Sequence, residues 1–201
     1  MSKTLLLSLA FVLCASAQAQ PVGQTGMGIK GGAQWSTLLG SDLSYSGVPG
    51  GLVGLYFPML ASNRLEFQPE LLLSYQGADI QKKEQTPQQL RMLYAHLPLS
   101  VKLFLSNELN LQGGLQVGKC LAATMDDSHV TDQFRPFDVG FIAGLGLDLR
   151  SGFDLTARYY GGTTPVLVET SGVNPRNRLL QLTAGYRLMR FGHRKHRLHK
   201  A

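Results

Sequence analysis

The chain has 201 residues with a formal charge of +6, 44% hydrophobic residues, 23 glycines and two cysteines, which fits one domain and leaves no room for a disulfide-stapled scaffold. Lys3, Arg194, Lys195, Arg197 and Lys200 account for all but one of the net positive charges, so the body is close to neutral and offers no field for nucleic acid. No apolar run beyond the first residues approaches the ~20 needed for a spanning helix, which excludes a helical membrane protein.

The N-terminus reads as a secretory signal: Lys3, the apolar run Leu5 to Leu13, and the small-x-small site Ala17-Gln18-Ala19. The expected division is therefore a signal over residues 1–19, one β-domain over 20–191, and a basic tail over 192–201. From Gly28, apolar and polar residues alternate with the period of a strand, placing Ile29, Ala33 and Trp35 opposite Lys30, Gly32 and Gln34. Leu39 to Pro49 loses the alternation and reads as a loop. A second strand, Gly50 to Phe57, sets Val53 and Leu55 against Leu52, Gly54 and Tyr56.

After a short link, Leu65 to Gln76 gives the clearest two-faced strand near the start. One parity carries Leu65, Phe67, Pro69, Leu71, Leu73 and Tyr75, and the other carries Glu66, Gln68, Glu70, Leu72, Ser74 and Gln76. Pro69 removes a ladder donor, so a bulge or bend is expected there. Gly77 to Arg91 is polar and contains Pro87, the mark of a long loop. Met92 to Phe104 alternates again, with Leu93, Ala95, Leu97, Leu99, Val101 and Leu103 opposite Tyr94, His96, Pro98, Ser100 and Lys102.

A tight turn leads into Leu109 to Leu121, and Ala122 to Pro136 is a second long loop. Phe137 to Leu149 and Phe153 to Tyr160 are separated only by Arg150-Ser151-Gly152. Gly161 to Arg178 is the longest loop, and Leu179 to about Met189 is the eighth strand. Long and short connections alternate along the chain. An antiparallel up-and-down barrel with long loops at one end and tight turns at the other has this asymmetry, and closure removes the edges that a bilayer could not tolerate. The fold class expected is thus all-β, an eight-stranded antiparallel up-and-down transmembrane barrel.

The polar parity decides the facing. It is rich in glycine and carries Lys30, Glu66, Glu70, His96, Lys102, Asp138, Asp148, Asp154, Arg158 and Arg187. In a barrel just wide enough to be filled by side chains, glycines leave room for long charged groups, and acids and bases in near balance form a structural network. The aromatics on the apolar parity, Trp35, Phe57, Tyr75, Phe137, Phe153, Tyr159 and Tyr186, fall at strand ends, where interfacial girdles form.

In chain order, GIKGGAQWS, LEFQPELLLSYQG, LYAHLPLSVKL, LNLQGGLQVG, FDVGFIAGLGLDL, FDLTARYYGG and LLQLTAGYRL resemble the PorT-like outer-membrane β-barrel family common in Bacteroidetes. The resemblance implies an eight-stranded outer-membrane barrel, for most members without a defined activity, one branch serving a protein secretion system. Such barrels commonly end on an aromatic residue, whereas here Phe191 is followed by GHRKHRLHKA.

Among candidate sites, Asp126-Asp127-Ser128-His129 holds the residue types of a hydrolase. However, side chains on adjacent loop residues diverge, where a catalytic set converges from separate elements. The same aspartates are too closely spaced for a hard cation. His96 is expected as a packed lumen residue, Cys120 as a buried thiol, and the tail's His193, His196 and His199 as part of a basic segment attracted to anionic surfaces. No catalytic residue, cofactor or metal site is expected. The expected partners are outer-membrane lipid and other cell-envelope proteins, with no nucleic acid; the oligomeric state is not readable. Two alternatives stay open at this point. One is an outer-membrane enzyme with a site on the loop face; the other is a soluble periplasmic barrel carrying apolar ligands, which would reverse the facing of every strand.

Overall fold

The computed structural model describes residues 25–40, 44–60, 62, 64–81, 88–126, 128–167 and 174–190; the signal (1–19), the tail (192–201) with its three histidines, and Asp127 lie outside them. In chain order the elements are β1 (Gly26–Leu39), β2 (Ser44–Tyr56), the two-residue β3 (Met59–Leu60), β4 (Leu65–Gln81), β5 (Gln88–Phe104), β6 (Leu109–Met125) and the two-residue β7 (Ser128–His129). A short 3-10 turn (Thr131–Gln133) follows, then β8 (Phe137–Asp148), β9 (Phe153–Gly162) and β10 (Arg176–Arg190). No described helix is long and apolar enough to cross a membrane.

The eight long strands pair antiparallel in the order β2-β1-β10-β9-β8-β6-β5-β4, and β4 pairs back onto β2. Closure between first and last strands runs the full length of β1, from Gly26 opposite Arg190 to Leu39 opposite Arg176. Every long strand therefore has two hydrogen-bonded neighbours, and most backbone polar groups of the wall are satisfied within it.

Side-chain facing follows the alternation. The apolar parity points outward, with Phe141 62% and Leu182 61% exposed, while Glu66, Gln68, Ser100, Lys102 and Gln116 on the other parity are fully buried. An apolar surface of this extent far exceeds the few hundred Å² that a soluble monomer exposes. It matches a hydrocarbon solvent, and it overturns the soluble-carrier alternative, which needed the apolar set inside.

At one end the connections are tight. Leu149 N–H donates to Phe153 O at 2.8 Å and Gly152 N–H to Leu149 O at 3.0 Å. Gly152 takes a φ of 97°, a left-handed conformation that suits glycine. At the other end the strands run further than their outer apolar pattern indicates. β4 continues from Gln76 to Gln81, β5 begins at Gln88 instead of Met92, β2 begins at Ser44, and β6 reaches Met125. Past the apolar belt the outer face turns polar, so the apolar/polar alternation that marks a strand fades although the ladder does not.

Of the bulge or bend expected at Pro69, the bulge is absent. Pro69 sits opposite Leu99 and Leu72 opposite His96, the same offset, with pairing interrupted only between them. On its other side Pro69 O accepts from Phe57 N–H at 2.9 Å, at the point where β2 ends. In an antiparallel pair the N–H and C=O of one residue face the same neighbour. The missing donor therefore faces a strand that is already terminating, and costs little. Register shifts occur instead at Met27/Gly28, Gly47/Gly51 and Leu93/Tyr94.

Candidate functional site

The barrel interior is layered. Nearest the short-turn end, Lys102 Nζ lies 2.9 Å from Asp148 Oδ2 and 3.7 Å from Glu66, while Arg187 lies 3.8 Å from Glu66 and 3.7 Å from Asp148. Asn110 adds a 3.0 Å hydrogen bond to Asp148. These groups come from β4, β5, β6, β8 and β10, so one cluster ties five strands.

Above it, Glu70 collects two cations. Lys30 Nζ reaches its Oε1 at 3.0 Å, and the Arg158 guanidinium bonds both carboxylate oxygens at 2.8 and 3.0 Å, a forked geometry that a lysine could not copy. Gln68 donates to the same carboxylate at 2.6 Å, Gln112 accepts from Arg158 at 2.8 Å, and Lys30 stands over the Tyr56 ring at 5.1 Å. Glu66 and Glu70, four residues apart on one strand, thus belong to different clusters and do not act as an acid pair.

Asp154 and Asp138 stand outside these ion pairs. Asp154 is buried against Gly185, whose missing side chain makes the space for its carboxylate. Asp138 accepts 2.7 Å hydrogen bonds from Thr164 Oγ1 and Asn177 Nδ2, which ties both ends of the β9–β10 connection to the wall. The single balanced set expected from sequence is therefore two separate clusters plus two acids that make no ion pair.

His96 occupies a neutral polar layer. Its Nδ1 lies 3.2 Å from Gln116 Nε2 and its Nε2 3.3 Å from Gln76 Oε1, so the ring accepts from one amide and donates to the other. Tyr94 stacks on it with centroids 5.3 Å apart. Fully enclosed and without a carboxylate or nucleophile bonded to it, His96 positions side chains and offers no route to catalysis.

The lumen closes at the long-loop end with an apolar cluster: Leu38, Ala78, Ile80, Leu90, Met92, Tyr94, Cys120, Ala123, Phe134 and Val166, with Tyr45, Met125, Val130 and Leu167 packed against it. Phe134 and Val166 are loop residues, clamped by Arg135 N–H to Val166 O at 2.8 Å and Val166 N–H to Pro175 O at 2.8 Å. Sequence reasoning missed this seal. Its signal was present: Ala78, Ile80, Leu90 and Met92 continue the lumen parity with apolar residues, and Val130, Phe134, Val166 and Leu167 are apolar within otherwise polar loops.

The loop set Asp126, Ser128 and His129 does not converge. Asp126 takes a positive φ of 47° and its Oδ1 accepts from Gln89 N–H at 2.9 Å, a turn-forming role, while Ser128 and His129 pair with Met125 and Thr124. Cys120 is buried in the seal, its thiol 3.7 Å from Ala122 O. Among the described residues no His, Cys, Asp or Glu cluster has the form of a metal site.

A closed eight-stranded wall, apolar outside and filled with paired charges inside, defines a small outer-membrane-type barrel. The sequence matches the outer membrane protein beta-barrel domain family over residues 7–187, and the chain belongs to that family. Comparison with curated proteins brings no match. Among solved structures, Neisserial surface protein A is similar at 16% identity over 82% of this chain and 99% of that one, with a TM-score of 0.51. OprG from Pseudomonas aeruginosa is similar at 14% identity over 84% and 98%, with a TM-score of 0.50. At these identities the likeness concerns the fold.

Proposed function

We propose that this protein is a non-enzymatic, non-conducting outer-membrane barrel whose long-loop end faces the exterior, and that it acts through its exposed loops or through assembly with other envelope proteins. The observation that carries this reading is the doubly closed interior. Two buried ion-pair clusters fill the lumen, and the apolar cluster around Phe134 and Val166 closes it above. A pore needs a continuous wetted path, and such a path through this seal would have to cross side chains in contact.

The seven ordered motifs support a place in the PorT-like family; one branch of it serves a protein secretion system, which makes attachment to such a complex one form the assembly role could take. A reading as a loop-face enzyme finds no support in the placement of Asp126, Ser128 and His129. Planar-bilayer recording of the refolded protein is the test. The wild type should show no stepwise conductance, and neither should a Phe134→Ala/Val166→Ala variant, whose lumen below the seal is still filled by the two ion-pair clusters. Steady conductance from the wild type would overturn the reading.

A further inference from the structure

Among the described side chains, the outer wall of the eight long strands is almost free of charge, and its exceptions lie at one end. Among the described side chains that point outward from these strands, the charged ones are Asp79, Arg91, Lys119, Arg176 and Arg178, all toward the long-loop end. At the short-turn end the outward positions are apolar, as with Leu55, Leu65, Leu103, Leu109, Leu147 and Phe153. Asp79 and Arg91 satisfy each other at 2.9 Å. Lys119, Arg176 and Arg178 enter no ion pair with a described carboxylate.

Lys119 is the most informative of the three. It is exposed between the outward residues Val117 and Leu121 on its own strand, opposite Ala95 on β5 and opposite Phe137, 57% exposed, on β8. A lysine in apolar surroundings lays its stem along the wall and extends its ammonium to the polar layer. Arg178 follows Leu180 outward on β10 and folds over Gly161, donating to Gly162 O at 3.1 Å. Among the described residues that bond takes one of its five donors. Arg135, exposed in the connection into β8, adds a fourth base, its Nε donating to Leu167 O at 3.1 Å. The aromatic residues Phe137 and Tyr159 lie in the same arc, where interfacial side chains gather.

We propose that Lys119, Arg135, Arg176 and Arg178 form a docking arc for the phosphates of a phosphorylated glycolipid in the outer leaflet, its acyl chains lying on the apolar wall below. The arc borders the belt directly. An anionic amphiphile satisfies both surfaces at once, whereas a soluble acidic partner would leave the apolar part of the arc uncovered. Guanidinium and ammonium groups at a membrane boundary are suited to phosphate recognition. The proposal rests on the reading that the long-loop end faces the exterior.

The test uses the full chain refolded into phosphatidylcholine vesicles containing bisphosphorylated lipid A, followed by gentle detergent extraction and quantification of lipid A retained per protein. The wild type should retain it, and K119Q/R176Q/R178Q should bind more weakly, by about fivefold for each base lost if the charges act independently. Lipid A stripped of its phosphates should be retained poorly by both. Equal retention by the triple variant, or equal retention of the dephosphorylated lipid, would overturn the docking arc; so would displacement of lipid A by millimolar inorganic phosphate, which would indicate a site for the free anion. Should the triple variant fail to fold, K119Q alone carries the comparison. Loss of heat-modifiable gel mobility in the wild type would strike at the barrel reading and not at the arc.

Discussion

Two lengths of the same strands carry opposite polarity. Over the belt, β4 points Leu71 and Leu73 outward and buries Glu70 and Ser74; toward its long-loop end the same strand points Asp79 outward and buries Ala78 and Ile80. Its partner β5 does likewise, burying Lys102 and His96 low and Met92 and Leu90 high. One ladder crosses the change without a break, pairing Leu73 with Ala95 and Asp79 with Gln89. The backbone fixes only which side chains share a face. The surrounding medium selects the polarity of the outward face, and the outward face turns from apolar to polar where hydrocarbon gives way to water.

The largest break in this comparison should come from the charged lower layer. Glu70→Leu removes the one acid that Lys30 and Arg158 share. Two buried cations would be left without their ion-pair partner, and breaking a buried pair from one side costs about 3–5 kcal/mol. We expect the fraction of folded protein in detergent, read as fast-migrating unheated gel mobility across a urea series, to fall sharply. A midpoint unchanged from wild type would show that the cluster contributes nothing to stability.

Much of this arrangement was legible in the sequence, for a physical reason. A filled eight-stranded lumen forces long polar side chains and glycines onto one parity, so Lys30, Glu66, Glu70, His96, Lys102, Asp138, Asp148, Asp154, Arg158 and Arg187 could be named from period two alone, and all are placed on the lumen side. Which of them touch was not legible. Contact across a barrel depends on strand stagger, and the stagger splits Glu66 from Glu70 and leaves Asp138 to two neutral donors. The strand extensions were missed because an outward Asp79 or Arg91 looks like loop composition, although the ladder through Ile80 and Gln88 is intact. The seal was missed because its halves are distant in sequence: Phe134 bridges to Leu167.

A smaller effect probes the outer face. Leu182, outward and 61% exposed, lies within the belt; Gln89, also exposed and outward, lies on the extension. Leu182→Arg places a guanidinium in hydrocarbon and should cost about 2–4 kcal/mol in folding from urea into lipid. Gln89→Arg, the same charge on a wetted surface, should stay within about 0.5 kcal/mol. Equal costs would show that the two lengths share one solvent, and a change of medium along the strands could no longer explain their opposite polarities.

The smallest effect is expected at the Asp79–Arg91 ion pair of the extension. Asp79 and Arg91 make a 2.9 Å contact as close as those in the lumen, yet their side chains are 32% and 26% exposed. Arg91 also donates to Leu90 O at 2.9 Å, so losing Asp79 leaves it solvated and still bonded. With water able to replace the carboxylate, Asp79→Asn should change stability by under about 1 kcal/mol, and added salt should shrink even that. A double-mutant cycle of Asp79→Asn with Arg91→Gln measures the pair directly. A coupling as large as the cost of Glu70→Leu would mean that Asp79 and Arg91 lie in a dry environment, and the boundary between the two lengths would then have to move outward past the hairpin.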